Sequence, residues 1–323
     1  QAKYDATVHL ARAGKAGAKL VAQSVVDDLE IGADGRVQAV TYRRPDGARG
    51  RATAKVFVLA AHAMEIPKLL LMVRGPRTPN GAANSSDQVG RNLMDHPVQL
   101  SYALARDPVW PYRGPLSTSG VENTRSGDWR ASRPSFRIEI GNDGWSWPTG
   151  APTTDAQALA RKGLRGAALQ KALFERTSRE VRFGTLTEQL PDPANRIVPD
   201  FDRRDRLGIP RPKIAYRLDD YTLAGLAEAR RIHEDAFVRM QATAITHNPD
   251  AQFQGAGHVM GTARMGRDAK SAVVDADLRT FDHPNLFLEG SAVFPTGGAA
   301  NPTLTIAALA LRSVDPIKRT LAG

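Results

Sequence analysis

No cysteine occurs among the 323 residues, so this chain can form no disulfide, no thiolate metal site and no iron–sulfur ligand set. Aromatic residues make up 6% of the chain, and none interleave with basic groups as a nucleic-acid stacking platform requires. Long apolar runs are also missing. The most apolar stretch, VFVLAAHAMEIPKLLLMV (56–73), is broken by His62, Glu65, Pro67 and Lys68, short of the roughly 18 residues that span a membrane. No two histidines have HxxxH spacing, and no acidic cluster supports a metal site. GxSxG elbows and P-loops are absent.

What is present is the composition of a soluble globular protein, with 41% hydrophobic and 24% charged residues. The length allows one large domain or two ordinary ones. The net charge is +10, yet basic groups such as RRDR (203–206) and Arg230–Arg231 sit beside acids. A solvated, Arg-rich surface explains this better than attraction to an acidic partner or membrane. The sequence opens Gln-Ala-Lys-Tyr, without methionine, signal peptide or twin-arginine motif. Either processing has removed a segment, or the chain is part of a longer polypeptide.

Along the chain, YDATVHLARAGKAG has helical spacing, and residues 18–61 read as extended segments and a β-meander with ADG and PDG turns. A helix follows from about Ala63 to Met72. From Gln99 to Gly150 the pattern alternates and includes all four tryptophans, which suggests a sheet with an aromatic wall. Residues 155–179 read as helices, VRFGTLTEQ, NRIVPD and PKIAYRLDD as strands, and YTLAGLAEARRIHEDAFVRMQA as a long helix. The expected fold is α/β (α+β). An open sheet is expected from residues 1–96 and 251–323, and a second sheet backed by helices from 97–250. A cleft between two such parts is the default ligand site.

Two segments carry candidate chemistry. In GSAVFPTGGAANPTLTIAALALR (290–312), Asn301 reads as an N-cap and Pro302 as the first helical residue, ahead of an apolar run suited to a buried helix. The small residues in front leave the helix N-terminus open to an anion or a polarised ring. In QGAGHVMGTARMG (254–266), His258 reads as held on a glycine-rich loop, where it can serve as a base. Together the two supply a proton acceptor and a hydrogen-bond donor beside a positive dipole. That combination suits removal of a hydroxyl proton while charge moves onto an electron-poor ring.

The segments VFVLAAHAMEIPKLLLM, VGRNLMDHP, GHVMGTARMG, VVDADLRTFDHPNLFLEGSAVFP and NPTLTIAALALR occur in this order. As a set they resemble the glucose–methanol–choline (GMC) flavoprotein oxidoreductases. WPYRGPLSTSG and NRIVPD add likeness to the flavoprotein subunit of bacterial membrane-associated sugar, polyol and sugar-acid dehydrogenases. The resemblance implies FAD as cofactor, His258 as the catalytic base and Asn301 as its partner on the substrate oxygen, with hydride passing to flavin N5. It also implies that Pro302 and Thr303 face the flavin ring and that Gly290, Ser291 and Ala292 turn against the pyrophosphate. Val25 would contact adenine through its backbone, and Ala61 would lie beneath the cofactor. Glu289 stands where the family often has Asp. No catalytic role is assigned to Asn92 or His96.

The same resemblance implies a periplasmic, membrane-associated enzyme with a sugar, polyol or sugar-acid substrate. Its partners would be a small chaperone-like subunit and a cytochrome c subunit, with electrons passing to a cytochrome or quinone. An oxygen-using oxidase and a non-catalytic fragment of the fold are the alternatives. The tryptophans and polar residues such as Glu188, Asn142 and Asp143 either line a sugar site or serve as ordinary surface and core. The family's leading strand–GxGxxG–helix signature has no counterpart here. The expectation is therefore uncovered apolar surface, poor FAD binding and no activity for these 323 residues alone.

Overall fold

The computed structural model describes residues 5–248 and 254–323. Helix α1 (Thr7–Lys15) buries none of its residues. It leads into an antiparallel meander of β1 (Val25–Ile31), β2 (Val37–Arg43) and β3 (Arg49–Thr53). The two turns are the expected ones, with Gly35 and Gly47 in the left-handed region at φ +78° and +84°. Leu29, Val37 and Ala39 are buried, Leu29 and Val37 in the main core. β4 (Phe57–Leu59) follows, then α2 (His62–Met72), which buries Ala63, Ile66 and Leu70 at helical spacing.

Pro67 lies inside α2 and has no N–H to give to the Ala63 carbonyl. That carbonyl instead accepts a 2.6 Å hydrogen bond from the fully buried hydroxyl of Thr262, 199 residues away.

The middle of the chain builds a six-stranded antiparallel sheet. Its strands are β5 (Pro97–Leu104), β6 (Ser117–Val121), β7 (Phe136–Gly141) and β8 (Glu180–Thr187), joined later by β11 (Thr243–His247) and β12 (Gln254–Gly255). Short helices α3 (Ser146–Thr149), α4 (Thr153–Arg161) and α5 (Gly166–Thr177) connect β7 to β8. The hairpin of β9 (Arg196–Arg204) and β10 (Pro210–Ala215) precedes α6 (Asp220–Arg239), whose N-cap Asp219 accepts from Thr222 N. One sheet face packs on α6 through Phe136, Ile138, Phe183, Ala229 and Phe237, the rings of Phe183 and Phe237 stacked at 4.7 Å. The chain closes with β13 (Leu286–Leu288), which pairs in parallel with β4, and α7 (Thr303–Ala322).

A separate, larger core joins the meander, α2, the segments 259–263 and 273–294, and Ile197 of β9. The β9–β10 hairpin thus leaves the 97–250 block to pack on the first part of the chain. The expected boundary at 250–251 lies outside the described residues. Buried Asn285 fastens this core, accepting from Val37 N and donating to the carbonyls of Val37 and Lys55. No helix among the described residues is long and apolar enough to cross a membrane.

Three expectations change. The open sheet of the first part is reduced to the β4–β13 pair beside the meander. The tryptophans form no wall, because none lies on a strand: Trp145 is buried against Tyr102, whereas Trp110 and Trp147 are exposed. Helix α7 is anchored by Ser313 and Pro316, with Ile306 and Leu309 against the core. Its other apolar side is uncovered, with Leu304 82% and Leu311 75% exposed. An apolar run signals that a helix has a face to bury, not that the chain itself supplies the cover.

His233 on α6 sits fully buried between the sheet hydroxyls, its Nδ1 2.8 Å from Ser101 Oγ and its Nε2 2.8 Å from Thr185 Oγ1. Burial pushes its pKa down to about 3. An unfolded chain takes up that proton near pH ~6.5, so the neutral ring's stabilisation is complete above that pH and lost as pH falls toward 3. His233→Leu is expected to cost about 1–3 kcal/mol at pH 7 by stranding the buried Thr185 hydroxyl, while Ser101 keeps its bond to His247. In denaturant melts the gap to wild type should narrow as pH drops.

Candidate active site

The site forms where the first turn of β5 meets the loop after β12. Asp95 is its organiser. Its Oδ1 accepts the backbone N–H groups of His96 and His258, both at 2.7 Å, and its Oδ2 accepts from Gly257 N at 3.2 Å. These bonds bring two histidine rings edge to face, with His96 Nδ1 2.8 Å from His258 Nδ1.

The proton positions follow from the remaining contact. His96 Nε2 lies 3.0 Å from the Gly298 carbonyl, which can only accept, so Nε2 carries the proton. In a neutral His96 ring, Nδ1 is then an acceptor, and His258 must donate to it from its own Nδ1. That leaves His258 Nε2 with a free lone pair. Burial lowers the pKa of both rings, and His258 further lowers that of His96. The negative charges of Asp95 and Glu139 partly offset burial at His258. Both rings are therefore neutral at neutral pH, and His258 is a proton acceptor with a fixed tautomer.

Asn301 is exposed at the front of α7, three residues beyond Gly298, whose carbonyl holds His96. It does not cap the helix. Pro302 is the N-cap and Thr303 the first helical residue, and no side chain bonds the free N–H groups. Asn301 Oδ1 instead accepts from Arg137 NH1 on β7, at 3.4 Å, which leaves its Nδ2 to donate elsewhere. The helix end stays open, with its partial positive charge unscreened by a cap.

A second group of the expected residues lies around the β4–β13 pair. A cavity of roughly 440 Å³ is lined by Val25 and Val26 of β1, Val58 to Ala61 after β4, and Glu65, Lys68 and Leu69 of α2. It sits at the carboxyl end of β4, where α/β sheets place their ligands. Val25 and Ala61 thus share one wall. Glu65 and Lys68, two of the residues that break the apolar run, form a 2.5 Å ion pair there.

Glu289 N donates to Leu59 O, which places Gly290 just beyond the end of β13. Gly290 has φ +90°, and a side chain there would meet nothing within 4 Å, so the backbone is open on that side. Ser291 and Ala292 are buried, and their carbonyls accept from Gly261 N and Ala263 N. The Ser291 hydroxyl donates to Val259 O at 2.6 Å. The 290–292 turn and the loop carrying His258 are therefore neighbouring backbone tracks.

Of the two readings open for the polar residues Glu188, Asn142 and Asp143, the structure gives ordinary packing. Glu188 takes Arg130 and Ser135, Asn142 ties the carbonyls of Arg113 and Pro115, and Asp143 pairs with Arg182. His96, Asp95, Arg137 and Glu139 are the residues that sequence reasoning missed. DHP marked the first two as a motif, but their partners lie more than 160 residues away.

The histidine pair is testable directly. By ¹⁵N NMR at neutral pH, His258 should hold its proton on Nδ1. His96→Ala should release it to a tautomer mixture, whereas an unchanged spectrum would mean that His96 does not set the tautomer.

Residues 191–310 match the family model for GMC oxidoreductases. The chain is 38% identical over 321 residues to the fructose dehydrogenase large subunit of Gluconobacter japonicus, covering 99% of this chain and 57% of that protein. It is 28% identical to 2-methyl-1,2-propanediol dehydrogenase of Mycolicibacterium austroafricanum, covering 94% and 55%. Among solved structures, pyridoxine 4-oxidase from Mesorbium loti superposes with TM-score 0.62 at 20% identity, over 92% of this chain and 57% of that one. The chain thus spans a little over half the length of these relatives, and the structural likeness is one of fold.

Proposed function

From a chain that carries the C-terminal domain of a GMC oxidoreductase, we propose an FAD-dependent dehydrogenase that oxidises a hydroxyl of a sugar, polyol or sugar acid. The observation that carries this reading is the lone pair left on His258 Nε2, its tautomer fixed by His96, whose own ring bonds Gly298 three residues before Asn301.

The residues present fit FAD. The β4-end cavity takes an apolar ring beside Val25 and Ala61. The open backbone at Gly290 allows the close approach a pyrophosphate needs. Beside it, a buried oxygen of Glu289, Oε2, has no protein partner and is open to a ligand group; burial raises this carboxyl's pKa and a hydrogen bond with Ser313 partly offsets that. The uncapped end of α7 at Pro302 and Thr303 favours negative charge on a ring placed there. When bound, FAD supplies the two-electron acceptor.

The chain's own residues supply the proton chemistry. His258 Nε2 takes the substrate hydroxyl proton while its Nδ1–H remains on His96. Asp95, held by three backbone N–H groups, stabilises the imidazolium that results. Asn301 Nδ2 donates to the same substrate oxygen and holds it toward His258. Electrons then leave to a cytochrome or quinone through partner subunits in a periplasmic, membrane-associated assembly. The relative named as a large subunit supports the partner part of this reading.

The test is anaerobic mixing of the FAD-loaded complete protein with fructose, sorbitol or gluconate, followed by visible absorption. Bleaching of the flavin is expected, with slow recovery in air; fast recovery would make the enzyme an oxidase, and no bleaching would defeat the reading. His258→Ala should slow reduction by about 10²–10⁴-fold. Because the His258 pKa is lowered, the base stays deprotonated below its ordinary range, so the acid limb of kcat/KM should have its midpoint below pH ~6.5.

A further inference from the structure

Strand β7 alternates between two environments. Phe136, Ile138 and Ile140 face the core under α6, while Arg137, Glu139 and Gly141 point to the opposite face. That second face includes Val98, Leu100 and Leu186, which pack against Ala256, two residues before His258. Arg137 reaches Asn301 from there, and Glu139 is one of the two acids whose charge acts on His258. The face opposite α6 is thus the wall across from the base.

The residues paired with Glu139 on both neighbouring strands are glycines, Gly120 on β6 and Gly184 on β8. The Arg137 guanidinium lies over Gly120, and Arg182 with Leu100 lies over Gly184. Glu139 Oε1 accepts from Arg137 NH1 at 2.6 Å, and its Oε2 takes no hydrogen bond from a described residue. The cations nearby are already committed. Arg137 also donates to Glu122 at 2.6 Å, Glu122 is paired with Arg125, and Arg182 is paired with Asp143 at 2.7 Å.

Resting on the dehydrogenase reading above, we propose that Glu139 is the specificity-determining residue of the site, selecting a neutral polyhydroxyl substrate over a sugar acid. The carboxylate accepts a hydroxyl adjacent to the one that His258 and Asn301 engage, and Arg137 holds it in place. A neutral polyol has such donors on successive carbons. A sugar acid would bring its own carboxylate toward Glu139 and Asp95 without an unpaired cation to receive it.

The decisive measurement is kcat and KM of the FAD-loaded complete protein with fructose, sorbitol and gluconate, in wild type, Glu139→Gln and Glu139→Asp. Wild type should prefer a neutral substrate. The Gln variant should raise that substrate's KM by about tenfold with a smaller effect on kcat, and cut the neutral-to-acid ratio of kcat/KM by a similar factor. It should also move the acid limb to lower pH, because one of the two charges sustaining His258's proton affinity is gone. The Asp variant should recover the ratio in part. An unchanged ratio in Glu139→Gln, or a wild-type preference for gluconate, would overturn the assignment while leaving the dehydrogenase intact. Flavin that none of the three substrates bleaches would remove the dehydrogenase reading, and this assignment with it.

Discussion

The carboxylate of Asp95 is the constraint on which the site depends. It bonds to backbone N–H groups on both sides of the cleft: one at the entry to β5 and two on the loop after β12. Because these are main-chain bonds, they fix where the two segments run rather than only where one side chain points. The histidine rings then meet at hydrogen-bond distance, and the Gly298 carbonyl settles which nitrogen carries each proton. A base that needs no rearrangement before reaction follows from one half-buried acid and one carbonyl.

The local grammar was readable before any coordinates. Turn glycines at 35 and 47, the helix over 63–72, the long α6 and the loop position of His258 all follow from spacing and residue type, because those features depend on neighbours in sequence. Asn301 was read correctly as standing at the helix front but wrongly as its cap. Capping residues are recognised by type, and the type does not reveal that Arg137, 164 residues away, takes the same oxygen. His96 escaped for a related reason. A tautomer is set by two partners distant in sequence, and no periodicity carries that information. The tryptophans misled because aromatic content says that surface will be covered without saying from which element.

The two functional regions differ in construction. The cavity at the β4 end is built from small and apolar residues with one ion pair, a surface suited to a flat ring. The wall across from His258 is built from charges over glycines, a surface suited to hydroxyl groups. A single backbone track connects them, since the Ser291 carbonyl receives Gly261 N and the Ser291 hydroxyl holds Val259 O.

Thr262 lies on that same track, and its hydroxyl occupies the place in α2 that an amide at position 67 would otherwise fill. Positions 67 and 262 are consequently complementary halves of one bond. An ordinary residue at 67 would restore an amide inside the helix and make the hydroxyl redundant, releasing the reactive loop from the helix beside the cavity. Where Pro67 is retained, a residue without a hydroxyl at 262 would leave a buried carbonyl bare. Descendants of this sequence should therefore alter the two sites as a pair, and a lineage that changes one alone should show the loss first in the register of the His258 loop.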